Sequence, residues 1–166
     1  MVRNFDLGDA LEPFLDDTKE PMPAREVGST KKRLKAGDVV VSRLRSYLRE
    51  IAVVRTTGGV PAVGSSEFIV LRPTGKGLAA ETVLVYLRCP LVQTILKWSQ
   101  DGSNHPRFDE DDLIALLVPD RLMDVSKKIE KHVHDAIAAR QEAARLLEQA
   151  KRTVEEMIGG ARTPTR

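Results

Sequence analysis

Side chains suited to nucleic-acid recognition are concentrated in two segments of this 166-residue chain. Both segments combine positive charge with hydroxyl, amide or imidazole groups. The first contributes Lys31, Lys32, Arg33, Lys35, Ser42, Arg43, Arg45, Tyr47 and Arg49, and the second contributes Asn104, His105 and Arg107. Arginine can form two hydrogen bonds with guanine and asparagine can do so with adenine, whereas lysine, serine and tyrosine hold phosphates. These residues are therefore candidate DNA contacts.

Two roles are expected within the first segment. Serine and tyrosine alternate with Arg43, Arg45 and Arg49 directly after an apolar run, which is typical of a short rigid loop that could enter a groove. Residues 31–35 precede that run as a flexible approach, where the compact ammonium group of lysine can meet a phosphate without fixed geometry. The sequence thus predicts base readers after the run and phosphate contacts before it.

The distribution of charge supports a polyanionic partner more strongly than the net charge does. The whole chain carries only +2, but residues 25–55 contain nine basic and three acidic residues, a local charge of +6. A positive field confined to one segment is what a polyanion-binding surface requires. A solvated basic surface without a ligand would give the same local charge, so this alternative stays open.

No catalytic or metal-binding constellation is expected. His132 and His134 are two residues apart on a helical pattern and point to different faces, so they cannot share a metal ion. Cys89, the single cysteine, lies in an apolar setting typical of a structural thiol, and it excludes both a disulfide and a cysteine-based zinc site. The acidic run 109–112 is typical of the start of a helix or strand. The sequence therefore predicts a protein that is not an enzyme and needs no cofactor.

The elements that must position these residues form a small α+β domain over residues 1–119. β-Branched and apolar runs predict strands, and helical spacing predicts a pair of helices separated by a proline. The expected strands are Asp38–Arg43, Glu50–Arg55, Glu67–Arg72 and Leu113–Val118, and the expected helices are Glu81–Arg88 and Leu91–Trp98. No run of eighteen apolar residues and no N-terminal signal stretch is present, so a soluble, cytoplasmic chain without a membrane partner is expected.

A long helix is the clearest periodic feature and defines a second region, residues 120–160, followed by a tail at 161–166. Its seam residues are spaced alternately by four and three positions, the heptad pattern of a coiled coil. They are Ile129, Val133, Ala136, Ala143, Leu147, Ala150, Val154 and Met157, with Arg140 as the polar interruption. A helix of this length cannot bury such a seam in a domain of about 120 residues. It is therefore expected to pair with a second copy, unless it folds back on its own domain.

The order of these features resembles one half of the specificity (S) subunit of a type I restriction–modification system. The residues that carry the resemblance are the turn and strand Leu34–Arg43, the strand Glu67–Leu71, the helical pair around Tyr86–Arg88, the Gly102-Ser103 loop and the long terminal helix. They cover roughly residues 30–158. The corresponding part of the family is one target recognition domain with its spacer helix.

The resemblance implies a non-catalytic DNA reader. In that family a recognition domain reads half of a split target, spacer helices pair, and methyltransferase (M) and restriction (R) subunits complete the complex. It further implies that residues 42–49 and 102–107 are the readers, that the helix from about Leu122 to Ile158 is the spacer, and that a single half functions as a homodimer on double-stranded DNA.

Two other functions are compatible with the sequence. One is a coiled-coil scaffold or protein-interaction module whose small α+β head binds protein. The other is a small nuclease, which would require carboxylates that converge beside a lysine, and the sequence shows no suitable spacing. Steep salt dependence of DNA binding would favour the reader over the scaffold, because neutralisation of phosphates releases counterions.

Overall fold

The structure is a computed structural model that describes residues 1–55, 58–75 and 77–160. Its contacts divide the chain into two compact units, Met1–Ile129 and Glu130–Arg166. Within the described residues, no helix is both long enough and apolar enough to cross a membrane. The predicted tail at 161–166 lies outside the described residues.

The fold is α+β, as predicted: seven strands come first along the chain and four α-helices follow them. The strands are β1 (Arg3–Phe5), β2 (Phe14–Leu15), β3 (Lys31–Leu34), β4 (Val39–Ser42), β5 (Ile51–Val54), β6 (Ala62–Ser65) and β7 (Phe68–Leu71). The helices are α1 (Ala80–Arg88), α2 (Pro90–Trp98), α3 (Glu110–Ile114) and α4 (Arg121–Gly160), with short 3-10 helices at Leu7–Leu11, Ala24–Glu26 and Ser46–Leu48. The three predicted strands within residues 38–72 are confirmed as β4, β5 and β7. The sequence did not predict β1, β2, β3 or β6.

The strands form two mixed sheets. One has the order β1-β6-β3 and the other has the order β2-β5-β4-β7. Strands β4 and β5 are the central pair of the larger sheet, and all their residues are buried. The core between the elements contains Phe5, Leu15, Val40, Val54 and Phe68. Burial of large side chains such as these contributes most of the stability of a domain of this size.

The two predicted helices near residue 90 are confirmed as α1 and α2. Pro90 occupies the first turn of α2, where its missing N–H leaves no helical hydrogen bond unmade. Arg88 at the end of α1 donates to the carbonyl oxygens of Ile51 and Ala10, at distances of 2.6–3.0 Å. This guanidinium therefore ties the helix pair to strand β5 and to the 3-10 helix Leu7–Leu11.

The predicted strand Leu113–Val118 is wrong. The segment begins as the short helix α3, because the backbone N–H of Asp109 donates to Asp112 Oδ2 at 2.8 Å and acidic residues occupy the first helical turn. Leu113 is buried, but Ile114 and Leu117 are 75% and 90% exposed. The apolar run therefore reflects one anchoring side chain rather than a strand with two buried faces.

The predicted long helix, from about Leu122 to Ile158, is confirmed as the 40-residue helix α4. At about 1.5 Å per residue it is roughly 60 Å long. Its first turns belong to the unit Met1–Ile129, where the buried hydroxyl of Thr82 lies 2.9 Å from Ser126 Oγ and 3.2 Å from the carbonyl oxygen of Ser126. The remainder of α4, from Glu130, is the second unit.

Candidate nucleic-acid interface

The two predicted reading segments lie next to each other, and we call residues 42–49 the first basic loop and residues 102–107 the second basic loop. The backbone N–H of Arg45 donates to the carbonyl oxygen of Pro106 at 2.9 Å, and the N–H of Phe108 donates to the carbonyl oxygen of Arg43 at 3.1 Å. Arg45 Nη2 also lies 3.2 Å from His105 Nδ1. Segments 60 residues apart in sequence thus form one surface.

The first basic loop has a strained backbone around its tip. Arg45 and Arg49 have φ angles of 51° and 55°, in the left-handed region that side-chain-bearing residues rarely adopt. They flank the 3-10 helix Ser46–Leu48, which places Tyr47 at the tip with 55% of its surface exposed. Non-glycine residues in this region cost free energy and are concentrated at functional sites, where the surrounding structure holds them. The loop is therefore a shaped element rather than a flexible one.

The second basic loop is closed at its base by two backbone hydrogen bonds. Asp101 and Arg107 exchange N–H to O bonds of 2.9 Å, and Gly102 supplies the positive φ of 95° that the turn requires. Phe108, only 1% exposed, anchors the end of the loop in the core. Asn104 and His105 are exposed between these fixed ends.

Glu67, the residue before β7, contacts an arginine from each of the two basic loops. Its carboxylate accepts two hydrogen bonds from Arg107, at 3.1 and 2.9 Å, and lies 3.6 Å from Arg43 Nε. The Arg107 hydrogen bonds, and to a smaller extent the charges of Arg107, Arg43 and Lys32, lower the pKa of Glu67 below its ordinary value. Arg43 also lies 3.5 Å from Asp109. Much of the positive charge of Arg43 and Arg107 is therefore neutralised within the protein.

Sequence reasoning missed Glu67 as part of the site. It interpreted this residue only as the first position of a strand, and its partner Arg107 is 40 residues away. The available signal was weak: a single acidic residue at the start of a predicted strand.

The expectation of a flexible approach at residues 31–35 is wrong. Lys31, Lys32 and Arg33 belong to strand β3, which pairs with β6 from Lys31 opposite Ser65 to Leu34 opposite Ala62. Lys31 forms an ion pair of 2.7 Å with Asp6, and its side chain is only 11% exposed. This lysine is a strand residue with an internal partner, which makes it a poor phosphate contact.

The other basic residues of this segment differ in their distance from the loops. Lys32 lies 3.7 Å from Glu110 and contributes to the electrostatic environment of Glu67, so it borders the loops. Lys35 lies at the turn where its N–H donates to Asp38, before β4, whereas the first basic loop begins at the other end of that strand. A four-residue strand spans about 13 Å. Lys35 is therefore remote from the reading loops.

The predicted contact residues thus separate into three groups. Ser42 is 3% exposed and its hydroxyl donates to the carbonyl oxygen of Leu44 at 3.0 Å, so it is removed from the surface. Arg43 and Arg107 are committed to Glu67. Among the described residues, no ion pair is made by the side chains of Arg33, Lys35, Arg45 or Arg49. Arg45, Arg49, Tyr47, Asn104 and His105 accordingly form the accessible part of the two loops.

The heptad seam of α4 is exposed over most of its length. Leu147, Val154 and Met157 are 60%, 54% and 74% exposed, and every residue from 138 to 159 is exposed in the single chain. Ile129 and Val133, nearer the start of the helix, are partly buried. The apolar side chains of the seam from Ala143 to Met157 are therefore accessible in the single chain.

Comparison with known proteins finds similarity in structure only. No protein-family model matches the chain, and no curated protein matches it in sequence. The crystal structure of the HsdS subunit from Thermoanaerobacter tengcongensis is 21% identical, with a TM-score of 0.64 over 93% of this chain and 40% of that chain. A chain from a structure describing complex assembly and conformational transition of the type I R-M system is also 21% identical, with a TM-score of 0.62 over 95% of this chain and 41% of that chain.

At this level of identity the likeness establishes the fold, and this chain spans about two fifths of the length of each of those chains. The structural neighbours of this chain are HsdS specificity subunits of type I restriction–modification systems, and the family resemblance carried by its sequence is confirmed at the level of the fold.

Proposed function

We propose that this chain is a non-catalytic reader of double-stranded DNA that recognises a half-site as a specificity unit of a type I restriction–modification complex. The observation that carries this proposal is the adjacency of the two basic loops, where Arg45 Nη2 lies 3.2 Å from His105 Nδ1 and where Arg49, Tyr47 and Asn104 are exposed. The likeness in fold to HsdS subunits supports it.

The side chains on this surface have different roles. Arg45 and Asn104 carry the planar groups that pair with guanine and adenine edges in the major groove. Arg49 and Lys32 border the same loops and supply charge to the phosphate backbone. Arg43 and Arg107, which are bound to Glu67, fix the loop backbones rather than contact DNA. Sequence specificity and general affinity therefore reside in different residues.

We further propose a homodimer through α4. The exposed row that includes Leu147, Val154 and Met157 would be covered by the same row of a second copy, as the heptad spacing requires. Two-fold symmetry would then present two recognition surfaces to inverted half-sites. The M and R subunits of the complex are the proposed further partners, and the catalytic groups and cofactors belong to them.

A scaffold function is the second candidate, and one observation favours it. The exposed seam of α4 fits a protein partner as well as it fits a second copy, and it requires no DNA. The two functions differ in what the basic loops do. A scaffold would bind DNA weakly and without preference for sequence, whereas a reader would enrich one sequence from a random pool.

The test is a selection from random duplexes, followed by titration of the enriched duplex and a scrambled duplex over a range of salt concentrations. Arg45→Ala is expected to weaken binding of the enriched duplex by about 1–3 kcal/mol and to change binding of the scrambled duplex little. Lys32→Ala should weaken both and lower the salt slope by about one. Lys35→Ala, which removes the same charge at the far end of β4, is the matched control. If no sequence is enriched, the reader function is wrong.

A further inference from the structure

Among the residues that the structure describes, the guanidinium of Arg45 has one side-chain partner, and that partner is an imidazole. Arg45 Nη2 lies 3.2 Å from His105 Nδ1, at the surface between the two loops. A guanidinium can only donate hydrogen bonds, so Nδ1 must accept. The contact therefore requires the tautomer of His105 that carries its proton on Nε2.

His105 is in turn held by Arg107 and Glu67. Arg107 Nη1 donates to the carbonyl oxygen of His105 at 3.1 Å, while its Nε and Nη2 donate to the Glu67 carboxylate. The bidentate geometry fixes the plane of the Arg107 guanidinium. Asp101 closes the same loop through its backbone bonds to Arg107. A continuous set of contacts thus leads from Glu67, through Arg107 and His105, to Arg45.

We infer that Glu67, Arg107 and His105 are positioning residues that aim the Arg45 guanidinium at a base edge. This inference rests on the proposed DNA-reading function. A long arginine side chain at a loop tip otherwise samples many rotamers, and ordering it at the moment of binding costs free energy. The acceptor at His105 Nδ1 orders it in advance, so these three residues determine specificity without touching the DNA.

Protonation of His105 removes the contact. The imidazolium has no acceptor at Nδ1, and its charge faces the guanidinium group of Arg45. The acidic groups nearby are Asp101, whose Oδ1 accepts from the N–H of Gly102 at 2.7 Å, and Glu67, which already binds Arg107. Acid should therefore release Arg45 and at the same time add positive charge to the surface. The ratio of specific to non-specific affinity should fall, while non-specific affinity stays constant or rises.

The experiment measures that ratio for the full chain with the enriched and scrambled duplexes, at about pH 8 and about pH 5.5. His105→Ala is expected to lower the ratio about tenfold at the higher pH. The loss is smaller than the full discrimination of a bidentate base contact, because Arg45 itself is still present. His105→Asn places an amide oxygen near the position of Nδ1 and does not titrate. It should retain most of the specificity at the higher pH and should not lose it on acidification. Lys35→Ala should behave as the unmodified chain does.

Glu67→Gln tests the other end of the contacts. It should lower the ratio but raise binding to the scrambled duplex and steepen the salt dependence, because Arg43 and Arg107 lose their counter-charge. A residue that only stabilised the fold would weaken both duplexes together. Thermal unfolding of each variant shows whether a loss of binding follows from a loss of stability. If Glu67→Gln does not fold, His105→Asn still tests the proposal.

An NMR measurement provides a readout without DNA. The nitrogen shifts of the His105 ring, identified by their loss in His105→Asn, should show an unprotonated Nδ1 at the higher pH and should move in Arg45→Ala. If the ratio is unchanged in His105→Ala while Arg45→Ala lowers it, the positioning role is wrong and DNA reading stands. If the unmodified chain enriches no sequence, both proposals are wrong. If Nδ1 carries the proton at the higher pH, the inference is wrong whatever the DNA result.

Discussion

Substitution of Leu147 and Val154 by glutamate should convert a dimer of this chain into a monomer. Both residues lie on the heptad seam of α4 and are 60% and 54% exposed in the single chain, so both have surface to bury on pairing. Burial of one such side chain contributes about 1.5–3 kcal/mol. Because a two-fold dimer contains each position twice, one substitution should cost about 3–6 kcal/mol, which corresponds to roughly 10²–10⁴ in the dissociation constant.

The double variant should lose about 6–12 kcal/mol by the same reasoning. A dimer with a dissociation constant of 1 µM is held by about 8 kcal/mol, so the double variant should be monomeric at any practical concentration. Sedimentation equilibrium at several loading concentrations measures this directly. The control is Ala138→Glu, which adds one glutamate, as each single substitution does, at an exposed position of α4 outside the seam.

Two results would refute the paired-helix model. One is an unmodified chain that is already monomeric at tens of micromolar. The other is a double variant whose dissociation constant equals that of Ala138→Glu, since the apolar seam would then contribute nothing to association. Circular dichroism should show similar helix content for the control and the double variant, because glutamate is a good helix former.

Three further outcomes are expected. The pKa of Glu67 is lowered in the folded chain, first by its hydrogen bonds with Arg107. The stability that Glu67 confers is therefore present above the ordinary pKa of 4.5 and is lost as the pH falls below that value. Urea unfolding of Glu67→Gln should show a weaker loss of stability over this acid range. Thr82→Val should lower the free energy of unfolding by about 1–3 kcal/mol in urea titration, because the partner of a fully buried hydroxyl loses its hydrogen bond. Met157→Cys, with Cys89 replaced by alanine, should form a disulfide-linked dimer under oxidation if the two copies of α4 run parallel. It should form no such dimer if they run antiparallel about the middle of the seam. Gel electrophoresis without reductant distinguishes the two outcomes.

The sequence predicted the strands that contain continuous apolar runs and missed the strands that are short, polar or interrupted by glycine. Central strands β4 and β5 consist of continuous runs of valine, isoleucine and alanine, which is the pattern typical of buried strands. Strand β3 lies at the edge of its sheet, with the sequence Lys-Lys-Arg-Leu, and therefore looked like a flexible basic segment. Lysine is common on edge strands because its charge prevents further pairing.

Strand β6 was missed for a different reason. It contains Gly64, which weakens any strand pattern because glycine has no side chain to pack. The structure requires glycine there: a Cβ atom would lie 2.9 Å from Leu34 Cδ1 and 3.0 Å from Phe68 Cδ2. This close approach depends on residues from two other strands, so no local pattern in the sequence could have indicated it.

The candidate site was predictable in its residue types but not in its arrangement. Arginine and tyrosine in a loop after a strand, and asparagine and histidine in a loop after a helix, indicated recognition chemistry. Local sequence contains no information on the contact between residues 45 and 105, or on the bond between Glu67 and Arg107 across 40 positions. Both depend on how β4 and β7 pair, with Ser42 opposite Phe68, which brings the ends of the two strands together.

This arrangement links the two proposals about DNA and assembly. Several of the predicted DNA-contacting cations form ion pairs with acidic side chains of the same chain. Lys31 pairs with Asp6, and Arg43 and Arg107 pair with Glu67. The loops thereby gain a fixed shape, but a single copy retains few charges for phosphates, and phosphate contacts supply most of the affinity for DNA. One copy should therefore bind a half-site weakly. Two copies joined through α4 would engage both half-sites together, and the second contact would benefit from a high effective concentration. The Leu147→Glu, Val154→Glu double variant should accordingly lose most of its affinity for an inverted-repeat duplex while it binds an isolated half-site as the unmodified chain does. Equal affinity of the two proteins for the inverted repeat would show that the recognition surfaces act independently.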